Sequence, residues 1–150
     1  MIAVVQRVTE ATVTVQDAQY VEEIGHGLCI FLGVERGDTE AEAAWLAGKI
    51  ARLRVFRDGQ GKMNCSVRDV DGSAMVISQF TLAGDCRKGN RPSFVRAAEP
   101  GDGEKLYLRF AEALARDHGV PVTRGIFGAM MQIDLVNDGP VTLIVERRPS

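Results

Sequence analysis

Two apolar runs, Leu28–Val34 and Ala74–Phe80, restrict the fold more than any other feature of this chain. Leu28–Val34 is apolar almost throughout, as a strand covered on both faces must be, and Ala74–Phe80 reads as a second buried strand. Such strands need a layer on each side. Thr39 followed by Glu42 has the spacing of a capping box, and Ala43, Leu46, Ile50 and Leu53 recur at helical intervals behind it. Leu106, Phe110, Ala113 and Leu114 mark a second amphipathic helix, which should stop near His118-Gly119 ahead of Pro121. Further strands are expected at Ile2–Val8, at Ala11–Val15, and at Met130–Val136 and Val141–Glu146. The last two flank Asn137-Asp138-Gly139-Pro140, whose turn chemistry suggests a terminal hairpin. Asp58-Gly59-Gln60-Gly61 marks another turn. The expected architecture is α/β: a single layered domain over residues 1–150, with helices on a mixed β-sheet and additional β structure on the opposite side.

At 150 residues, 45% of them hydrophobic, the chain can bury a sizeable core without staples. Cys29, Cys65 and Cys86 are odd in number and widely spaced, which argues against a disulfide framework or zinc knuckle and for a reducing cytoplasm. No signal-like leader and no apolar run of membrane-spanning length is present, so a soluble protein that is not exported is expected. A net charge of −2 argues against broad nonspecific nucleic-acid binding. Arg87, Lys88, Arg91 and Arg96 nevertheless form a local basic stretch, either a solvated loop or a contact for phosphate.

The absences restrict the chemistry further. His26 lies in a turn between glycines and His118 sits at a helix C-terminus, where both read as structural. There is no His-Glu-x-x-His, no cysteine pair and no Asp/His cluster, so a protein-built metal site is not expected. The Gly-x-Ser-x-Gly elbow is also missing. Two segments remain. Ser78-Gln79-Phe80-Thr81-Leu82 closes a buried strand and leads into the basic loop, a good place for a site, although its hydroxyls could merely satisfy local backbone. Gly139-Pro140-Val141-Thr142 enters a strand through a proline, which reads either as an ordinary turn or as a site for a cis bond.

Together, Met1–Val8, Leu53-Arg54-Val55-Phe56, Gly61-Lys62-Met63-Asn64, Ser78–Leu82, Gly89–Phe94, Gly125-Ile126-Phe127-Gly128 and Asn137–Thr142 resemble the D-aminoacyl-tRNA deacylase family. The resemblance runs through almost the whole chain in order. Small departures are Gly59, where an acidic residue is common, and Asp17-Ala18-Gln19 in place of a glycine-containing turn.

The resemblance implies a homodimer with active sites at the subunit interface. There, Ser78, Gln79, Phe80 and Thr81 of one subunit form the catalytic floor, and a cis Gly139–Pro140 of the other reaches in. Its carbonyls would meet the α-amino group while the close backbone excludes an L side chain. Arg7 matches a position that holds this motif, Phe127 one that contacts the terminal adenosine, and Met131 one that lines the pocket. Arg87, Lys88 and Arg91 would bind the tRNA, and neither a cofactor nor a metal is implied. The implied partner is an aminoacylated tRNA, not DNA and not a membrane. Thr81 lacks an evident base, so the implied chemistry is assistance by the tRNA's own 2′-hydroxyl, with backbone N–H groups near Phe80 and Thr81 stabilising the oxyanion. Removal of glycine misattached to alanine tRNA is a further implied activity. A noncatalytic module that holds a tRNA end, and a hydrolase of free D-amino-acid esters, remain as competing readings.

Overall fold

The computed structural model describes residues 1–150. The elements follow in the order β1 (Ile2–Val15), β2 (Tyr20–Ile24), β3 (Gly27–Gly33), α1 (Glu40–Ala51), β4 (Phe56–Arg57), β5 (Met63–Cys65), β6 (Ser73–Ser78), α2 (Pro100–Glu112), β7 (Val122–Arg124) and β8 (Gln132–Glu146). A 3-10 turn, Phe80–Ala83, follows β6, and α2 widens into one π turn at Ala113–Asp117 before Gly119 ends it with φ +65°. Six strands form one mixed sheet. β1 is antiparallel to β2, β3 and β8, whereas β3, β6 and β7 run parallel. β4 and β5 form a separate small hairpin around the expected Asp58–Gly61 turn.

Two apolar clusters sandwich the central strands, which is why their sequences are apolar on both faces. On one side α1 and α2 bring Leu46, Ile50, Tyr107, Phe110 and Leu114 onto Ala3, Val5, Ile30, Leu32 and Val76. Full burial of each large side chain there contributes about 1.5–3 kcal/mol. On the other side Val8, Ala11, Val13 and Ile24 cover Cys29, Met75 and Ile77, with Ile133 and Leu135 of β8 against them. The additional β structure expected opposite the helices is thus the same sheet, curled over. Burial raises the Cys29 thiol to about 12, and none of the three cysteines is bonded to another. α1 begins as expected: Thr39 accepts from the Ala41 N–H at 3.2 Å, and Glu42 accepts from the Thr39 N–H at 2.8 Å.

Two expectations need correction. Ile2–Val8 and Ala11–Val15 are one strand, because the register against β8 shifts between Val8 and Glu10 and moves the buried positions from odd to even and back without a turn. Nor do Met130–Val136 and Val141–Glu146 form a hairpin. Both halves pair with β1, Val136 opposite Glu10 and Thr142 opposite Gln6, and the chain passes straight through Asn137–Pro140. Four residues, Asp138 to Val141, face Arg7 alone, so the turn residues form a wide bulge. They satisfy local turn chemistry while the long pairing on either side keeps the strand direction. At the departure Asp17-Ala18-Gln19, Gln19 itself adopts the left-handed conformation, φ +50°, that glycine commonly takes.

Candidate active site

Parallel pairing of β3 with β6 delivers Ser78 to the end of the sheet, level with Leu32, and the Gln79 N–H is held by the Leu32 carbonyl at 2.8 Å. The chain then tightens into the Phe80–Ala83 turn, where Leu82 N–H donates to Gln79 O and Gly84 N–H to Thr81 O. The leading N–H groups of such a turn, those of Phe80 and Thr81, have no acceptor within it. Gln79 Nε2 donates to Thr81 Oγ1, so the exposed hydroxyl is oriented by an amide, which cannot take its proton.

No base stands beside Thr81. His26 precedes the Gly27–Ser73 pair and meets the Phe56 ring edge-on at 5.0 Å, while His118 lies against Gly48 of α1. Both are at the opposite end of β6 from Thr81. The nearest carboxylate in sequence, Asp85, is occupied: Arg87 reaches it with Nε at 2.9 Å and Nη2 at 2.6 Å. That guanidinium, with the Arg87 N–H, holds the Asp85 carboxyl well below the usual carboxylate range.

Phe127 and Met131 flank the end of β6 on opposite faces. Phe127 rests on Tyr107 at 5.9 Å between centroids, and Met131 belongs with the cluster containing Ile77 and Val13. Tyr107 itself was not singled out from the sequence. Its hydroxyl donates to the Val76 carbonyl at 2.7 Å and burial raises it to about 12, so it pins α2 to the strand that carries the site. Its signal was the spacing from Gly103 to Phe110 along the buried helix face.

The Gly139–Pro140 bond is cis, as expected, and lies elsewhere. Arg7, 3% exposed, donates from Nε to the Asp138 carbonyl at 3.1 Å and from Nη1 to the Val55 carbonyl at 2.6 Å. Asn137 Oδ1 accepts the Val141 N–H at 3.0 Å and closes the bulge from within. Arg7 is opposite Leu28, and Leu28 is opposite Ala74. The bulge therefore sits four residues of strand below Ser78, roughly 13 Å along the sheet and three strands across. Ser78, Gln79, Phe80, Thr81, Phe127 and Met131 come together within one chain; Arg7, Gly139 and Pro140 form a second group at the far end. Phe80 and Thr81 are exposed at this end of the sheet, and a hollow of about 320 Å³ lined by Leu108, Ala111, Glu112, Ala115, Val122 and Arg124 does not include them. Arg87, Lys88 and Arg91 are all exposed on a loop next to Thr81, with Arg87 tied to Asp85.

Comparison with known proteins adds to this geometry. A family described as D-Tyr-tRNA(Tyr) deacylase matches residues 4–146. The chain is 57% identical over 148 residues to a D-aminoacyl-tRNA deacylase of Geobacter sulfurreducens, covering 99% of this chain and 96% of that one. It is 53% identical over 146 residues to one of Thermotoga petrophila, covering 97% of each. Among solved structures, one titled c-Myc DNA Unwinding Element Binding Protein superposes with a TM-score of 0.92 at 41% identity, covering 99% of this chain and 100% of that one. Another, titled as a probable eukaryotic D-amino acid tRNA deacylase, gives 0.80 at 17% identity, covering 96% and 97%, a likeness of fold.

Proposed function

The chain belongs to the D-aminoacyl-tRNA deacylase family, hydrolases of the ester between a D-amino acid and its tRNA, and we propose that two copies build each of its active sites. The observation that carries this reading is the separation of Gly139-Pro140 from Ser78–Leu82 within one chain. A second copy supplies the missing wall. β8 is suited to such a contact, being a long outer strand with Val136, Leu143 and Ile144 exposed.

In the assembled site the Gly139 and Pro140 carbonyls accept the substrate's α-ammonium, and the adjoining backbone leaves no space for an L side chain. Phe127 contacts the terminal adenosine and Met131 lines the pocket. Water attacks the ester carbon; its proton passes through the substrate's 2′-hydroxyl to the departing 3′-oxygen, and free D-amino acid and tRNA leave. The Phe80 and Thr81 N–H groups stabilise the oxyanion, while Ser78 and Gln79 orient the substrate. The missing base beside Thr81 supports this division of labour. Glycine has no Cβ to collide with the wall, so glycine on alanine tRNA is a further substrate. We assign the protein to the cytoplasm with its tRNA; no helix is long and apolar enough to cross a membrane.

The test compares hydrolysis of D- and L-aminoacyl-tRNA and of free D-aminoacyl esters, with sedimentation of the protein alongside. Turnover of the D-aminoacyl-tRNA by a dimer, and of the other two poorly, is expected. Binding without turnover would replace the enzyme with a tRNA-end-binding module. Equal cleavage of free esters would remove the tRNA from the reaction, and a fully active monomer would remove the shared site.

A further inference from the structure

Phe80 and Phe94 stand apart from both apolar clusters. They are 58% and 38% exposed, and their rings meet edge to face at 5.2 Å between centroids, with 71° between planes. Neither is a surface ring left to wander. Asp85 and Ser93 exchange two backbone hydrogen bonds, at 2.8 and 3.0 Å, which clamp the neck of the basic loop and place Phe94 beside the Phe80–Ala83 turn. Gly84 completes the seat: a Cβ there would lie 3.0 Å from Phe94 Cε1, so a larger residue would push the ring away. Around the pair, residues 85–96 carry Arg87, Lys88, Arg91 and Arg96; Arg87 is paired with Asp85 and Arg96 reaches Glu35 at 3.4 Å, which leaves Lys88 and Arg91 without an ion-pair partner. A fixed, exposed aromatic ring within a locally cationic loop is the arrangement that holds single-stranded nucleic acid, with bases stacking on the ring and phosphates on the cations.

We propose that Phe94, packed edge to face with Phe80, is the stacking platform for the unpaired nucleotide next to the tRNA's terminal adenosine, with Lys88 and Arg91 on the adjoining phosphates. The proposal rests on the active-site reading above, because it takes the ester to lie against the Phe80–Thr81 turn. From there the RNA tail runs outward over Phe94. The platform makes the enzyme prefer an ester carried on a single-stranded tail to the same ester on adenosine alone, without reading the tail's sequence, since every base offers a π face.

The preference is measured as the ratio of kcat/KM for a D-aminoacyl cytidine-cytidine-adenosine trinucleotide to that for the D-aminoacyl ester of adenosine. The wild-type chain should favour the trinucleotide. Phe94→Ala and Phe94→Leu should lower the ratio roughly tenfold, through KM of the trinucleotide, and Phe94→Tyr should keep it. The leucine variant retains apolar volume, so it reports on stacking even if the alanine variant folds poorly. An unchanged ratio in Phe94→Leu, or an equal loss in Phe94→Tyr, would overturn the platform. So would a changed oligomeric state in Phe94→Leu with the ratio intact, which would assign the ring to a second copy. A wild-type chain that cleaves neither ester would remove the active-site reading, and the platform with it; wild-type turnover with no preference for the trinucleotide removes the platform alone.

Discussion

Arg7 Nε donates to the Asp138 carbonyl at 3.1 Å and stands 3.2 Å from that residue's own carboxylate, tying the β8 bulge to a guanidinium that is almost fully buried. Nη1 also takes the Val55 carbonyl, so one planar fork joins the β8 bulge to the segment entering β4. Arg7→Met should destabilise the chain by roughly 2–4 kcal/mol, because two carbonyls lose their donor in a place water reaches poorly. Arg7→Lys should recover only part, since an ammonium cannot span both acceptors in the same plane. Chemical denaturation measures the loss. Deacylation should fall further than stability accounts for if the bulge is a wall of the site.

Gly139 has φ +129° and its missing Cβ would stand 2.9 Å from Val141 Cγ2 and 3.0 Å from Arg7 Nη2. Gly139→Ala therefore meets both a backbone conformation that L residues rarely adopt and two occupied positions. A cost of roughly 1–3 kcal/mol is expected, with loss of D-aminoacyl-tRNA hydrolysis under conditions where the variant remains folded. Full turnover by a folded variant would take Gly139 out of the site.

The helix cap predicts a pH dependence. Hydrogen bonds from the Thr39 hydroxyl and N–H to the Glu42 carboxylate hold Glu42 below its ordinary range. A carboxyl lowered on folding adds stability above the unfolded-state pKa, and that contribution disappears as pH falls through the folded-state value. Glu42→Gln should therefore be less stable than wild type at neutral pH, with the gap closing in acid. Thr39→Ala should cost about 1 kcal/mol at neutral pH. Thermal unfolding across pH checks both; a gap that stays constant into acid would separate the cap from Glu42's charge.

The three cations expected to bind tRNA are not equivalent in the structure. Arg87 is held on Asp85 by two side-chain bonds, whereas Lys88 and Arg91 project without an ion-pair partner. Lys88→Ala and Arg91→Ala should each flatten the salt dependence of tRNA affinity by about 0.7 in log–log slope, and Arg87→Ala by less. Asp85→Asn should release Arg87 and steepen it. Equal slopes for all four variants would return the loop to a solvated surface.

The donor of the reactive hydroxyl can be identified by removing each candidate. Thr81→Ala should keep substantial activity, because Thr81 has an amide for a neighbour and no base. A D-aminoacyl-tRNA without its terminal 2′-hydroxyl should bind comparably yet hydrolyse far more slowly, the signature of a group needed in the transition state. Abolished turnover in a folded, tRNA-binding Thr81→Ala, with normal cleavage of the deoxy substrate, would make Thr81 the nucleophile.

Local pattern was enough for much of this molecule. The capping spacing of Thr39 and Glu42, the apolar runs of β3 and β6, and the stop at Gly119 lie within a few residues of sequence, and hydrogen bonding and burial act on them at that range. The Ser78–Leu82 segment and the glycine-proline segment are visible in the same way, as polar and turn-forming residues at the ends of apolar runs. The bulge was misread for a related reason. Asn137-Asp138-Gly139-Pro140 has the composition of a turn, and only the pairing of β8 with β1 on both sides, over more than ten residues, decides that the chain goes straight on.

What the sequence by itself determined is therefore the family, the α/β class and which strands and helices the candidate residues close. What the tertiary structure decided is their distance from one another. Arg7, five residues from the N-terminal strand's start, is bonded to Asp138; Ser78 and Gly139 lie at opposite ends of one sheet; Phe80 meets Phe94 across a clamped loop. Such separations depend on strand order and register, which are set by the sum of many weak contacts between segments far apart in the chain, and no short pattern encodes that sum.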